Sequence, residues 1–119
     1  MKFIGTGVDI TEVKRLREAV DRWGEAFLTR IFTPNELKNA AGRVNLYQHL
    51  AGRFAAKEAV FKALGDPQLN WQDVEILNDK DGKPWCSLLN GRGKSKEILI
   101  SISHVKNYAV ANALVTEKS

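Results

Sequence analysis

The chain has few of the residues that mark secreted or membrane-spanning proteins. Its 119 residues include a single cysteine, Cys86, and three prolines. One cysteine supports neither a disulfide framework nor a cysteine-based metal cluster, so we predict an intracellular protein. No apolar run reaches the roughly 20 residues of a membrane-spanning helix, and the opening MKFIGTGVDI lacks the length and cleavage pattern of a signal peptide. These absences together predict a cytoplasmic location.

Boundaries between domains are also missing from the sequence. It contains no internal repeat, no low-complexity tract and no linker rich in Pro, Gly or Ser. We therefore expect one domain, residues 1–119, that is large enough to bury its own core. Basic residues outnumber acidic ones by 18 to 14, for a net charge of +4. This excess favours an anionic partner, and a nucleic acid, a phosphorylated small molecule or an acidic protein would each fit.

An N-terminal strand is predicted for residues 2–10, KFIGTGVDI. Alternation gives the strand two faces, with Ile4, Thr6, Val8 and Ile10 on one and Phe3, Gly5, Gly7 and Asp9 on the other. Because two residues of the second face have no side chain, another backbone or a ligand can approach closely beside Asp9.

A first helix is predicted to follow this strand. Thr11 is its expected N-cap and Gly24 its expected end. The helical spacing gives it a buried side and a charged side, formed by Val13, Leu16, Val20 and Trp23 and by Lys14, Arg15, Glu18 and Arg22 respectively.

Three more helical segments are predicted between residues 26 and 64. A short one covers residues 26–31. In TPNE, Thr33 as N-cap, Pro34 at the first position and Glu36 three residues on form a capping box for a helix that Gly42 ends. The longest runs from about residue 46 to residue 64, and Gly65 is its stop signal.

The second half of the chain reads as strands. The candidates are DVEIL, KPWCSLL, EILISIS and YAVANALV, and Asp81-Gly82 between the first two is a hairpin signal. The order of elements predicts an α+β fold with an N-terminal strand, helices including one long central helix, and then antiparallel strands.

The long helix carries charges inside an apolar, alanine-rich stretch, RFAAKEAVFKALG at residues 53–65. On a helical wheel Lys57 falls within the apolar arc of Leu50, Phe54, Val60, Phe61 and Leu64. Glu58 and Lys62 lie along one edge of that arc, beside alanines that allow close packing. Lys57 has two open interpretations, donation to a phosphate or extension past the arc into solvent.

Asp9 and Glu58 form the first candidate site. If the N-terminal strand packs against the alanine edge, the two carboxylates converge with Lys62 one turn away, and two hard oxygen ligands suit Mg²⁺. The alternative is that Asp9 supplements the helix cap and that Glu58 and Lys62 form an ordinary i,i+4 ion pair.

Cations near either end of the long helix form further candidates. His104 closes SISH, Arg53 lies one turn before the charged segment, and Arg43 lies in the preceding loop. Each could contact a phosphate, and each could equally be an ordinary surface residue. Arg15 and Arg22 share a face of the first helix, which is either a basic patch for an acidic protein helix or a solvated face.

Three segments in this order, GTGVDI, RFAAKEAVFKALG and SISH, resemble the holo-[acyl-carrier-protein] synthases, the compact class of 4′-phosphopantetheinyl transferases. The resemblance covers essentially the whole chain, including DGKP and YAVA. It implies the α+β fold of that family and transfer of 4′-phosphopantetheine from coenzyme A to a serine of apo-acyl carrier protein. Adenosine 3′,5′-bisphosphate is the implied second product, and fatty acid biosynthesis the implied process.

The resemblance also implies roles for individual residues. Asp9 and Glu58 would bind Mg²⁺ with the pyrophosphate of coenzyme A, and Lys62 would contact the transferred phosphate. Either a metal-bound water or Glu58 would accept the serine proton. His104 and Arg53, with Arg43 in the adjoining loop, would lie near the adenosine 3′-phosphate. The resemblance further implies that Arg15 and Arg22 bind an acidic helix of the carrier protein. It also implies a homotrimer whose active sites are shared between neighbouring subunits.

Two loops depart from the family pattern. After KALG the family continues with a Gly-Thr-Gly type loop, whereas this chain has DPQLNW. Upstream, a loop that is often rich in Lys and Arg reads AAGRVNLYQ, which leaves Arg43 as its cation. We therefore expect weaker or rearranged coenzyme A contacts.

Two other functions compete with transfer. The altered loops raise the possibility of a catalytically impaired relative that binds coenzyme A. The excess of basic residues and the three tryptophans raise a second possibility, a module that binds RNA or another polyanion. Such a module would bind with a steep dependence on salt and would catalyse no reaction.

Overall fold

A computed structural model describes residues 2–118, and its elements confirm the predicted order of strand, helices and antiparallel strands. The bounds are β1 Phe3–Glu12, α1 Val13–Trp23, α2 Glu25–Ile31, α3 Pro34–Ala40, α4 Leu46–Leu64, β2 Val74–Asn78, β3 Pro84–Leu88, β4 Lys96–His104 and β5 Tyr108–Glu117. A single 3₁₀ turn, Trp71–Asp73, precedes β2. No helix among these residues is both long and apolar enough to cross a bilayer.

Local signals correctly place the C-terminal end of α4 and the N-terminal end of α3. Gly65 ends α4 in the left-handed conformation, with φ of 62°, and its N–H donates to the Phe61 carbonyl at 2.9 Å. At the start of α3, the Thr33 hydroxyl accepts from the Glu36 N–H at 3.1 Å, and the Glu36 carboxylate accepts from the Thr33 N–H at 2.8 Å. The capping box is therefore confirmed.

Two predictions for the first helix are wrong. Its N-cap is Glu12, because β1 continues two residues beyond the predicted end, and the Thr11 hydroxyl instead donates to Asp9 Oδ2 at 3.1 Å. Trp23, predicted on the buried side, is 58% exposed, whereas Val13 and Leu16 are buried as expected. Trp23 is the last residue of the helix, and its indole lies at the surface beside α2.

The strands form two antiparallel sheets. One has the order β1-β5-β4, and the other is the β2-β3 hairpin. Helix α4 packs on one face of the three-stranded sheet, where Val60 contributes to a core that also contains the hairpin residues Val74 and Ile76. From β4, Ile98, Ile100 and Ile102 pack against this core.

Glycines set the distance between β1 and α4. A Cβ added at Gly5 would overlap the carbonyl oxygen of Ala63, and one at Gly7 would overlap that of Ala59. Strand and helix backbones are therefore in direct contact, as the glycines and alanines predicted. This contact places Asp9, on the same strand face, beside α4.

The other face of the three-stranded sheet is apolar and uncovered. Val8 and Ile10 on β1 are 59% and 66% exposed, and Leu99 on β4 is 52% exposed. Val110 on β5 pairs with Ile10 and continues the same row. Three polar residues, Asn112, Ser101 and Ser103, lie on the same face between these side chains, so the apolar surface is divided. Several large exposed apolar side chains on one face nevertheless indicate a protein contact.

Both interpretations of Lys57 are wrong, because its ammonium group is fully buried in an ion pair. Nζ donates to Glu36 Oε1 at 2.6 Å and to the Ile31 carbonyl at 2.8 Å. Glu36 Oε2 accepts from the Ile76 N–H at 2.7 Å, which ties α4 to α3 and β2. Burial lowers the pKa of Lys57, and the charge of Glu36 opposes that shift.

Candidate active site

A cavity of about 380 Å³ brings together the predicted metal ligands. We call it the acidic cavity; β1, α1 and α4 supply most of its wall, and its lining includes Asp9, Thr11, Arg15, Phe54 and Glu58. Asp9 reaches it because the glycine face of β1 lies against α4. The predicted partner-binding Arg15 therefore borders the same space as the two carboxylates.

Lys62 pairs across the elements instead of along its own helix. Its Nζ lies 3.3 Å from Asp9 Oδ1 and donates to the Val8 carbonyl at 2.9 Å. Among residues 2–118 no ion pair joins Glu58 to Lys62, so the alternative of an ordinary i,i+4 pair is wrong. The alternative that Asp9 supplements the α1 cap is also wrong, because the cap is Glu12 without a side-chain bond.

The electrostatics of Glu58 reflect its place in the cavity. Burial raises the pKa of its carboxyl group, the nearby charge of Asp9 raises it further, and Lys62 lowers it. The carboxyl group therefore holds a proton more tightly than an ordinary Glu does, and a bound cation would favour its ionised form. A raised carboxyl pKa in a cleft is typical of functional sites.

The donor set of the acidic cavity fits Mg²⁺. Of the three carboxylates in its lining, Glu12 was not a predicted ligand, and Asp9 and Glu58 supply the predicted hard oxygens. Mg²⁺ usually takes only one or two ligands from protein and completes its coordination with water and phosphate oxygens. Across residues 2–118 no group of three or more His, Cys, Asp or Glu side chains is arranged to hold a metal. Asp9 and Glu58 are thus sufficient for a metal shared with a phosphate substrate, and insufficient for a closed structural site.

A second cavity, of about 200 Å³, brings together the predicted phosphate contacts. We call it the basic cavity; its polar lining residues are Arg43, His49, Arg53, Asn78 and His104. None of the residues that line it is acidic. Sequence reasoning missed His49 and Asn78, although His49 precedes Arg53 by four residues and so shares its helix face.

Arg53 is a buried residue and not a surface arginine. It is 6% exposed, and its guanidinium donates to the side-chain oxygen of Asn78 on β2. Burial lowers its pKa to about 10, with a further contribution from the charge of Arg43. Arg43 itself is exposed and donates from Nε to the Asn39 carbonyl at 3.0 Å.

Helix α4 separates the two cavities. They share no lining residue, and the five residues from Arg53 to Glu58 correspond to about 140° around a helix. Arg53 and Glu58 therefore project from different sides of α4. The acidic and basic cavities of one chain do not form a continuous site.

The basic side of α1, which carries Arg15 and Arg22, flanks the acidic cavity. Arg15 and Arg22 are both exposed, and the Arg22 guanidinium lies 5.0 Å from the centre of the Trp23 ring. Trp23 in turn lines a largely apolar cavity with Phe27. The surface thus combines cations with an exposed aromatic side chain next to the carboxylates.

The atypical segment after α4 packs onto the helix. Trp71, its last residue, stacks on Phe54 at 5.3 Å between ring centres and meets Phe61 edge-on at 4.8 Å. Asp66 accepts from the Gln68 N–H at 2.9 Å and closes a tight turn. The expected weakening of coenzyme A contacts by this segment stays a prediction.

Known proteins resemble the chain over nearly its full length. The model of the 4′-phosphopantetheinyl transferase superfamily matches residues 5–113. The holo-[acyl-carrier-protein] synthase of Protochlamydia amoebophila is 48% identical over 117 residues, which is 93% of this chain and 96% of that protein.

Solved structures agree with the sequence comparison. A holo-(acyl-carrier-protein) synthase from Bacillus anthracis, in complex with CoA (3′,5′-ADP), is 36% identical with a TM-score of 0.84 over all of both chains. The synthase from Neisseria meningitidis is 29% identical with a TM-score of 0.88, covering 97% of this chain and 99% of that one. The chain therefore belongs to the holo-[acyl-carrier-protein] synthases of the 4′-phosphopantetheinyl transferase superfamily.

Proposed function

We propose that the protein transfers 4′-phosphopantetheine from coenzyme A to a serine hydroxyl of apo-acyl carrier protein, in a Mg²⁺-dependent reaction. The serine oxygen forms a bond to the phosphorus that carries pantetheine, and the bridging P–O bond of the pyrophosphate breaks. Adenosine 3′,5′-bisphosphate leaves with that bond's electrons. The observation that carries the proposal is the convergence of Asp9, Glu58 and Lys62 where β1 lies on α4.

Asp9 and Glu58 are the proposed Mg²⁺ ligands. Bound there, Mg²⁺ would neutralise charge on the pyrophosphate oxygens. The Thr11 hydroxyl, which donates to Asp9 Oδ2, orients one carboxylate. The Glu58 carboxylate lies in the same cavity and could accept the serine proton, directly or through one water.

Lys62 is the proposed contact to the transferred phosphoryl group. Its side chain is about half exposed, and Nζ is held over the end of β1 by the Val8 carbonyl and Asp9. A point-charge ammonium with three donors can keep these two bonds and donate a third to a phosphoryl oxygen.

The basic cavity is the proposed binding site of the adenosine 3′-phosphate. Arg53 and His104 are its predicted ligands, and Arg43 lies at its edge. The absence of acidic residues from the lining and the planar guanidinium of Arg53 support a phosphate monoester.

A homotrimer with shared active sites is the proposed assembly. Since α4 separates the two cavities, one coenzyme A molecule would contact Glu58 of one subunit and Arg53 of its neighbour. The exposed sheet face around Val8, Ile10 and Val110 supplies an apolar surface for such contacts.

We also propose that residues 1–119 form one domain, that the protein is cytoplasmic and that it acts in fatty acid biosynthesis. The single cysteine supports the location, and the family supports the process.

The basic side of α1 is the proposed docking surface for an acidic helix of the carrier protein, with Arg15 and Arg22 as contacts. Replacing Arg15 by Glu is expected to raise the KM for carrier protein about 5- to 20-fold, because attraction becomes repulsion. Because Arg15 also lines the acidic cavity, the KM for coenzyme A is measured as well and should rise less than the KM for carrier protein. The difference should shrink as salt is added.

Lys38→Glu is the matched control for Arg15→Glu, since Lys38 is an exposed residue of α3 and the substitution makes the same charge change there. Steady-state kinetics at two ionic strengths compare the variants. An equal rise in KM for carrier protein in both variants would attribute the effect to net charge and contradict docking at Arg15.

Mass spectrometry of apo-acyl carrier protein tests the proposed function. With coenzyme A and Mg²⁺ the carrier should gain the mass of one phosphopantetheine arm, and chelation of divalent metal should prevent the gain. Coenzyme A binding without any mass gain, across several carrier proteins, would identify a binding relative. Metal-independent transfer would contradict the roles of Asp9 and Glu58.

A further inference from the structure

An imidazole in the basic cavity has a buried nitrogen with no partner. Nε2 of His49 is shielded from solvent and forms no hydrogen bond within residues 2–118. Leaving such a group unpaired costs about 1–3 kcal/mol, and native folds contain few of them. The other buried side-chain nitrogen in the same condition is Nε of Arg53, one helical turn away in the same cavity.

Basic side chains surround His49 from three directions. Arg53 follows it on α4, Arg43 approaches from the α3–α4 loop, and His104 lies at the end of β4. Burial, and then the charges of these three residues, lower the pKa of His49 to about 4. The ring is therefore neutral near pH 7 and carries one N–H, which can donate to an anion without adding a further charge.

We propose that Nε2 of His49 is a ligand of the phosphate monoester bound in the basic cavity. This inference rests on the proposed function, in which that group is the 3′-phosphate of coenzyme A. With its proton on Nε2, the ring donates to a phosphate oxygen after a side-chain movement exposes that shielded atom to the cavity, and the same movement opens Nε of Arg53. Binding thus satisfies two groups that the free protein leaves unpaired, so His49 contributes to recognition of the 3′-phosphate and not to the transfer step.

Binding of coenzyme A and of dephospho-coenzyme A tests this assignment, because the two ligands differ only in the 3′-phosphate. By titration calorimetry, His49→Phe should bind coenzyme A about 10- to 100-fold more weakly than the wild type does, the range for a hydrogen bond to a charged group. Its affinity for dephospho-coenzyme A should stay within about twofold. His49→Gln, which retains an amide donor, should recover part of the loss.

Stability separates this role from a structural one. Because His49→Phe removes an unpaired buried polar atom and keeps a planar ring, its urea midpoint should equal or exceed that of the wild type. A lower midpoint with equal losses for both ligands would show that His49 supports the fold and would overturn the inference. Unchanged coenzyme A affinity would overturn it as well.

The binding measurement does not depend on catalysis. If phosphopantetheine transfer fails while 3′-phosphate binding still requires His49, the proposed function is contradicted and the role of His49 stands. If transfer occurs and the wild type binds both ligands equally well, the role of His49 is contradicted and the proposed function stands.

Discussion

Replacing Glu58 by Gln is expected to lower the rate of phosphopantetheine transfer by about 10²- to 10⁴-fold, the range that a positioned proton acceptor contributes. The amide keeps the size of the side chain but is a poor Mg²⁺ ligand and cannot accept the serine proton. The carrier mass shift, followed over time at saturating coenzyme A, measures this effect. Turnover near that of the wild type would contradict both roles of Glu58.

The fold of the Glu58→Gln variant should be intact, and the pKa of Glu58 explains why. Since burial and Asp9 raise that pKa in the folded protein, the folded state holds the proton more tightly than the unfolded state does. Stability contributed by the protonated form is therefore lost as pH rises from the ordinary Glu pKa through the raised one. At pH 7 without Mg²⁺ the variant should be at least as stable as the wild type, and the difference should diminish toward acidic pH.

The activity of mixed variants tests whether each active site is shared between two subunits. Glu58→Gln and Arg53→Gln should each be impaired alone, because each damages a different cavity. When they are unfolded and refolded together in equal amounts, about one quarter of the sites in a trimer with shared sites combine an intact Glu58 with an intact Arg53 from the neighbour. Recovery of activity supports the shared site, and its absence in a mixed trimer would place both residues in a site within one subunit.

Replacing Lys57 by Met is expected to lower the free energy of unfolding by about 3–5 kcal/mol, the cost of leaving one partner of a buried ion pair without the other. Glu36 would keep its bonds from the N–H groups of Thr33 and Ile76 but would be a buried charge with no cation. Total stabilities of about 5–15 kcal/mol make this a large fraction. Urea unfolding at fixed protein concentration measures it.

A double variant separates the charge from the packing. Glu36→Gln removes the unpaired charge and can keep the capping bond from the Thr33 N–H through its amide oxygen, but its NH2 group then faces the Ile76 N–H, which is also a donor. Lys57→Met combined with Glu36→Gln should therefore recover only part of the loss, and the coupling energy follows from the four proteins of the cycle. A loss below about 1 kcal/mol for Lys57→Met alone would contradict the importance of the pair.

Predictions that depended on neighbouring residues in the chain were mostly confirmed. The bounds of α4 and the Thr33–Glu36 capping box follow from glycine geometry and from contacts within four residues, which any window of sequence contains. Thr11 is the exception, because two local partners competed for its hydroxyl. Pairing with Tyr108 on β5 extends β1 to Glu12, and this leaves Thr11 in the strand, where its hydroxyl bonds Asp9.

Residue types at fixed spacing were enough to predict the order of strands and helices, the family and the candidate ligands Asp9, Glu58 and Arg53. The partners of the buried and half-buried charged side chains depend instead on contacts between distant segments. Lys57 forms an ion pair with Glu36, twenty-one residues away in the chain, and Lys62 forms one with Asp9 across the helix–strand contact. His49 lines the same cavity as His104 at the end of β4. A side chain's partner in a buried site is set by which backbones pack together, and here glycines on β1 and alanines on α4 permitted the contact that builds the acidic cavity.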